Sequence, residues 1–370
     1  MELYEKVYVK PAFLQSDHGG IPCQQCHGGN PGNEDWQTVH ADVIRDPTYP
    51  DPTNACGECH AEIVAAAATS LHVTLNPMKA TIARRAGHED PETLGNIGSA
   101  LEKHCLGCHA SCGQCHVSRP EYARGGFLAA HRFLKTPAMD TTCASCHGGR
   151  IHGEYTGVNS DFAADVHYAD EEMTCMDCHP SNEMHAAAAA AASRLDVPER
   201  PTCQTCHPDA AENGSNRSHA THRGKVACQV CHAQAAKSCF NCHVGTDNQG
   251  LPYYKCQATR SLFKIGLNPS PSDERPYAYV VLRHTPVTPH TFDAYESDGL
   301  VRFNALPTWK PSFPHNIRRI TSQNKSCNNC HGNRALFLRT TDLETWEIQA
   351  NADVMVPASR IPKKIETEKE

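Results

Sequence analysis

Short hydrophobic patterns are scattered along this 370-residue chain, and none of them is long. The N-terminal LYEKVYV alternates apolar and polar positions and predicts a strand. HAEIVAAAATSLH, starting at His60, is alanine-rich without a breaker and predicts a helix. HPDAAENGSNRSH, starting at His207, repeats its spacing: two histidines twelve residues apart, with Ser before the second. It is a poor helix former. YAYVVLRH and GLVRFNAL read as strands. Prolines and glycines, 25 and 24 of them, punctuate the rest. No run of 18 apolar residues occurs, so no transmembrane segment is predicted.

Composition changes the picture. Hydrophobic residues make up 39% and aromatics 6%, which is lean for a large side-chain core. Net charge is −7, without a basic cluster or basic-aromatic stripe, so nucleic acid is excluded as a partner class. What the chain has in excess is cysteine and histidine, 21 and 24 of them.

These are arranged. CLGCHASCGQCH, Cys105 to His116, holds two C-x-x-C-H units two residues apart. Eight more begin at Cys23, Cys56, Cys143, Cys175, Cys203, Cys228, Cys239 and Cys327. Composition alone would give about 0.08 such units by chance. Zinc ribbons, redox C-x-x-C pairs and disulfides use paired cysteines, but none requires histidine after every second one. The spacing is that of c-type haem attachment: two thioethers to one porphyrin edge, and a histidine beneath the iron. Ten covalently attached haem c groups are therefore expected. Their anchors are Cys23, Cys26, Cys56, Cys59, Cys105, Cys108, Cys112, Cys115, Cys143, Cys146, Cys175, Cys178, Cys203, Cys206, Cys228, Cys231, Cys239, Cys242, Cys327 and Cys330. The close spacing within Cys105–His116 predicts two haems almost in contact. Cys256 alone lies outside a unit and reads as a small buried residue.

The motif histidines are His27, His60, His109, His116, His147, His179, His207, His232, His243 and His331. Fourteen others remain, enough to give every iron a second imidazole. Position in the chain selects His18, His40, His72, His131, His167, His185, His219, His222, His284 and His315, leaving out His88, His104, His152 and His290. Twelve helical residues span about 18 Å, so His60 and His72 cannot share one iron. An iron with two histidines has no open position and moves single electrons with little rearrangement.

The predicted fold is mostly irregular, with short α-helices and a few short strands, wrapped around a closely packed array of ten c-type haems. Residues 1–17 form a strand-like arm. Residues 18–244 carry nine units, and 245–326 form a haem-free, aromatic and proline-rich insertion. Residues 327–336 hold the tenth unit, and 337–370 form a tail ending in a solvated KKIETEKE. Residues 186–192 are seven consecutive alanines and carry no functional reading.

The ten units, CHASCGQCHVSRP, and PTWKPSFPHNI followed by NKSCNNCHGN make residues 18–335 resemble the multihaem c-type cytochromes of anaerobic respiration. The resemblance implies an electron-transfer conduit across the cell envelope, as a surface cytochrome or a polymerised extracellular filament. Implied partners are other redox proteins, copies of itself, or extracellular acceptors such as metals and minerals. Because haem attachment occurs outside the cytoplasm, the chain is expected at the cell surface or outside it, or in the periplasm, with its leader removed. The alternative is a multihaem reductase or oxidase of a nitrogen or sulfur oxyanion. Such an enzyme needs one iron lacking its second histidine, and no C-x-x-C-K unit occurs.

Overall fold

The computed structural model describes residues 8–108, 110–120, 123–158, 160–185, 191, 193–197, 200–212 and 216–366. It divides into two compact units. Unit 1 comprises residues 1–79, 105–146 and 174–200; unit 2 comprises 80–104, 147–173 and 201–370.

Unit 1 is a chain of single helical turns and bends. Among its described residues only Val64 and Val117 are buried hydrophobics, although six cysteine pairs lie within it. Unit 2 carries the side-chain core. Its strands are β1 (Ala236–Lys237), β2 (His243–Thr246), β3 (Pro252–Lys255), β4 (Ser261–Leu262), β5 (Lys264–Leu267), β6 (Tyr279–His284) and β7 (Trp309–Pro311). They form antiparallel sheets ordered β1-β4, β2-β3 and β5-β6-β7. Val281 and Leu282 of β6 are 1% and 0% exposed on opposite faces. One face packs Ile265, Val281, Phe337 and Ile361; the other packs Leu282, Trp309, Leu338 and Val354.

Both faces are therefore covered by residues beyond 336. From Phe337 the tail is core as far as Ile361, because a sheet with two apolar faces needs two covers, while Lys363 to Glu366 of KKIETEKE are exposed. For the same reason 245–326 is not a separate insertion: Leu338 N–H donates to Ile265 O at 2.8 Å. YAYVVLRH contains the expected strand. GLVRFNAL does not form one; Phe303 and Ala305 donate three residues back, to Leu300 and Arg302, so the segment closes on itself as turns. LYEKVYV falls mainly outside the described residues, and Pro11–Gln15 forms a 3₁₀ turn.

Glu347 fastens the tail to this sheet. It is 4% exposed and accepts from Thr308 Oγ1 at 2.5 Å, Glu344 N at 3.0 Å and His284 Nε2 at 3.1 Å. Glu347→Ala would strand three donors, and an expected loss of about 2–4 kcal/mol follows from the cost of unsatisfied buried groups. Denaturant unfolding would register it as a lower midpoint at unchanged slope.

The chain exposes 22310 Å². A compact monomer of its mass exposes about 14,500 Å², and two separate globules of half that mass about 17,500 Å². Among the described residues, unit 1 has only two buried hydrophobic side chains with which to close an interior.

Candidate cofactor-binding sites

Most C-x-x-C-H units form one helical turn, as at Cys23–His27, Cys112–His116, Cys203–Cys206 and Cys228–His232. Positions i, i+3 and i+4 share one helix face, so both thiols and the imidazole point the same way. The turn is closed by the histidine's own N–H, which reaches the first cysteine's carbonyl at 2.8–2.9 Å at His60, His179, His207 and His331. Caps reinforce it: Asp177 accepts from both Thr174 N–H and its hydroxyl, and Ser111 accepts from Gln114 N–H. Gly113 is required where it stands, since a Cβ there would lie 2.6 Å from Thr48 Oγ1. The Cys239 unit differs. It runs extended between β1 and β2, with Cys239 N–H donating to His284 O at 2.9 Å.

Folding brings motif histidines to histidines from elsewhere. In unit 1, His60 meets His18 with ring centroids 6.3 Å apart, His27 meets His131 at 5.9 Å, and His116 meets His185 at 6.1 Å. In unit 2, His207 meets His167 at 6.0 Å, His232 meets His219 at 6.1 Å, and His331 meets His222 at 6.0 Å. Every one of these pairs joins one motif histidine to one of the second-ligand choices. His72 and His179 are also neighbours, and His179 with burial pushes His72 below its ordinary pKa while Glu183 opposes them. Burial and the partner ring likewise lower His131 and His185.

A metal bound to a ring nitrogen lies about 2.0 Å from it, and the nitrogen is about 1.2 Å from its ring centroid. Two imidazoles facing across one ion therefore have centroids about 6.4 Å apart. The ring planes meet at 23° to 76°, which rotation about the metal–nitrogen axis allows.

Hydrogen bonds fix which nitrogen is available. Nδ1 of His27, His116, His232 and His331 faces the carbonyls of Ile44, Leu134, Arg318 and Lys363 at 2.7, 2.6, 3.1 and 3.2 Å. Nδ1 of His222 faces Ser218 O at 2.7 Å, and Nδ1 of His167 faces Asp165 Oδ1 at 2.8 Å. A carbonyl only accepts, so Nδ1 carries the proton and the Nε2 lone pair is left for a metal. His40 and His243 are held the same way, by Trp36 O and Asn241 O.

Among the described residues no group of three or more His, Cys, Asp or Glu side chains gathers around one point to hold a metal. A porphyrin would supply the further donors that a metal between two imidazoles needs, and the motif histidines and thiols are the residues that would hold it.

The cysteines form chains of contact. In unit 1, Cys26 lies near Cys59, Cys56 hydrogen-bonds Cys112, Cys115 lies near Cys143, and Cys143 hydrogen-bonds Cys175. In unit 2, Cys203 hydrogen-bonds Cys228, and Cys231 lies near Cys330. Where one thiol donates to another, the acceptor loses its proton more readily. Cys112, Cys143 and Cys228 fall to about 7 and their partners rise. Burial and neighbouring thiols lift Cys115 and Cys231 to about 11. Spatial order is thus not chain order: the contact of Cys112 runs to Cys56, from a unit much earlier in the sequence.

Two of the choices make further contacts. His284 stacks on Trp309 at 5.0 Å, and its Nε2 is taken by Glu347. The backbone N–H of His315 donates to Glu154 Oε2 at 3.1 Å. His109 lies outside the described residues. Of the four histidines left out, His104 meets Tyr295 OH through Nε2 at 2.8 Å, His88 meets Thr93, and the exposed His290 meets Asp293. Cys256 is exposed, not buried. The sequence gave no sign of Phe133, whose ring lies 4.1 Å from that of His18 and nearly parallel to it.

Compared with known proteins, the chain matches no protein-family profile, no curated protein and no solved structure. Among the described residues no helix is long and apolar enough to cross a membrane.

Proposed function

We propose that this protein is a multihaem c-type cytochrome that conducts electrons along ten haems, each tethered by one C-x-x-C-H unit. The observation that carries the reading is the set of six histidine pairs. Each has the spacing one iron needs, and each combines a motif histidine with one from elsewhere in the chain. The scarcity of buried hydrophobic side chains in unit 1, where six cysteine pairs lie, supports it.

Bound haem supplies a one-electron couple, and the chain's residues do the rest. The Nδ1 hydrogen bonds hold the imidazoles of His27, His116, His167, His222, His232 and His331 at one angle, so a change of oxidation state there needs little movement. The thiol contacts support placing the haem of Cys56 beside that of Cys112, the haem of Cys143 beside that of Cys175, and the haem of Cys203 beside that of Cys228. Donors and acceptors are then other redox proteins, further copies, or extracellular metals and minerals, and the place of work is outside the cytoplasm.

A second reading, reduction of a small nitrogen or sulfur oxyanion at one open iron, is favoured by one observation: Glu347 occupies Nε2 of His284. Electron paramagnetic resonance with a carbon monoxide titration separates the two. The conduit is expected to carry ten haems by intact mass, to be low-spin throughout, and to take up no carbon monoxide rapidly. One full equivalent of high-spin iron or bound carbon monoxide would establish the enzyme instead.

A further inference from the structure

We propose that Phe13, Phe127 and Phe133 form an aromatic seat that sets the imidazole planes of His131 and His18, and that at His131 this seat stands in place of the hydrogen bond that fixes other ligands. The inference rests on the proposed function, in which His131 and His27 serve the haem of Cys23 and Cys26, and His18 and His60 that of Cys56 and Cys59. All of these residues belong to unit 1. Three rings surround His131. Phe13 meets it at 4.5 Å and 89°, Phe127 at 4.9 Å and 87°, and Phe133 at 5.8 Å and 86°. Each is the edge-to-face arrangement that aromatic quadrupoles favour. Phe133 also stacks on His18 at 4.1 Å and 9°, and on Phe13 at 6.2 Å and 27°. One ring thus adjoins the second ligands of two irons.

Two observations set His131 apart. Its Nδ1 is buried and has no hydrogen-bond partner among the described residues, whereas Nδ1 of His27, His116, His222, His232 and His331 faces a carbonyl. Its backbone is left-handed, with φ at 70°, and so is that of Ala130, at 51°. Residues with a Cβ stay in that region only where their surroundings over-determine the conformation. A buried polar atom without a partner is unfavourable as well. The three rings are the surroundings that hold His131 against both. The chemistry follows from the missing bond. A hydrogen-bonded Nδ1–H makes an imidazole the stronger donor to a metal. Without that bond His131 is the weaker donor, and it holds its iron at a higher potential than a carbonyl-bonded imidazole there would. The chain runs on from the seat to Leu134, whose carbonyl faces His116 Nδ1 at 2.6 Å. Residues 127–134 therefore orient ligands of three irons by two different means.

The test uses the holoprotein and its Phe127→Leu, Phe133→Leu and Phe133→Tyr variants. Phe303→Leu is the control, since Phe303 packs on Trp346 in unit 2. His131→Met and His18→Met assign the two haems, and intact mass counts all of them. Electron paramagnetic resonance reads the angle between paired imidazoles, and a redox titration followed by the same signals reads the two potentials. Phe127→Leu should shift the low-spin signal of the His131 haem alone. It should also lower that haem's potential, because water then reaches Nδ1 and accepts its hydrogen bond. Phe133→Leu should shift the signals of both assigned haems. Phe133→Tyr, which keeps the ring, and Phe303→Leu should leave both signals where they are. Ten retained haems with parental signals and potentials in both leucine variants overturn the seat. For a leucine variant that fails to fold, a cryo-electron microscopy map of the parent decides. The three rings against the iron-bound imidazoles support the seat, and rings turned away from them overturn it. A parent without bis-histidine haem overturns the proposed function and this inference with it, whereas a failure confined to the ring variants leaves the proposed function standing.

Discussion

Expressed without haem attachment, the chain is expected to lose the structure of unit 1 while retaining the sheet core of unit 2. Unit 1 has only Val64 and Val117 as buried hydrophobics among its described residues, against the two-faced packing around Val281 and Leu282 in unit 2. Each buried aliphatic side chain contributes about 1.5–3 kcal/mol, and ordering a residue costs about 1–2 kcal/mol, so unit 1 cannot meet that cost from its own side chains. Hydrogen exchange followed by mass spectrometry is expected to show amides of residues 8–79 exchanging at nearly unprotected rates. Amides of 264–267, 279–284 and 337–356 should remain protected by several orders of magnitude. Equal protection of both units in the haem-free chain would mean that the cofactor is not the missing core.

The second large effect is expected from His185→Ala. His185 faces His116 at 6.1 Å, and burial and that ring lower its pKa against a backbone hydrogen bond at Ser181. Under the proposed reading its removal opens one coordination position on one iron and leaves the other nine closed. The variant should gain one equivalent of high-spin iron and bind one equivalent of carbon monoxide, where the parent binds none. Haem count by intact mass should stay at ten, because Cys112 and Cys115 are untouched. His290→Ala is the control: His290 is exposed and bonded to Asp293, so its loss should leave the spectrum unchanged. A His185→Ala protein that stays wholly low-spin would break the pairing assigned here.

The local geometry of the site was legible in the sequence. C-x-x-C-H fixes one helical turn with three side chains on one face, because 3.6 residues per turn bring i, i+3 and i+4 together. The twelve-residue separation of His60 and His72 already forbade a shared iron, and the structure carries His72 to His179 instead. Six of the histidines chosen from position lie beside a motif histidine.

Tertiary structure decided what depends on distant partners. The meeting of His27 with His131, or of Cys56 with Cys112, depends on loop paths that no local period encodes. The fate of His284 turned on Glu347, a carboxylate sixty-three residues later that captures its Nε2. Residues 337–361 become core only because a sheet with two apolar faces lies elsewhere in the chain.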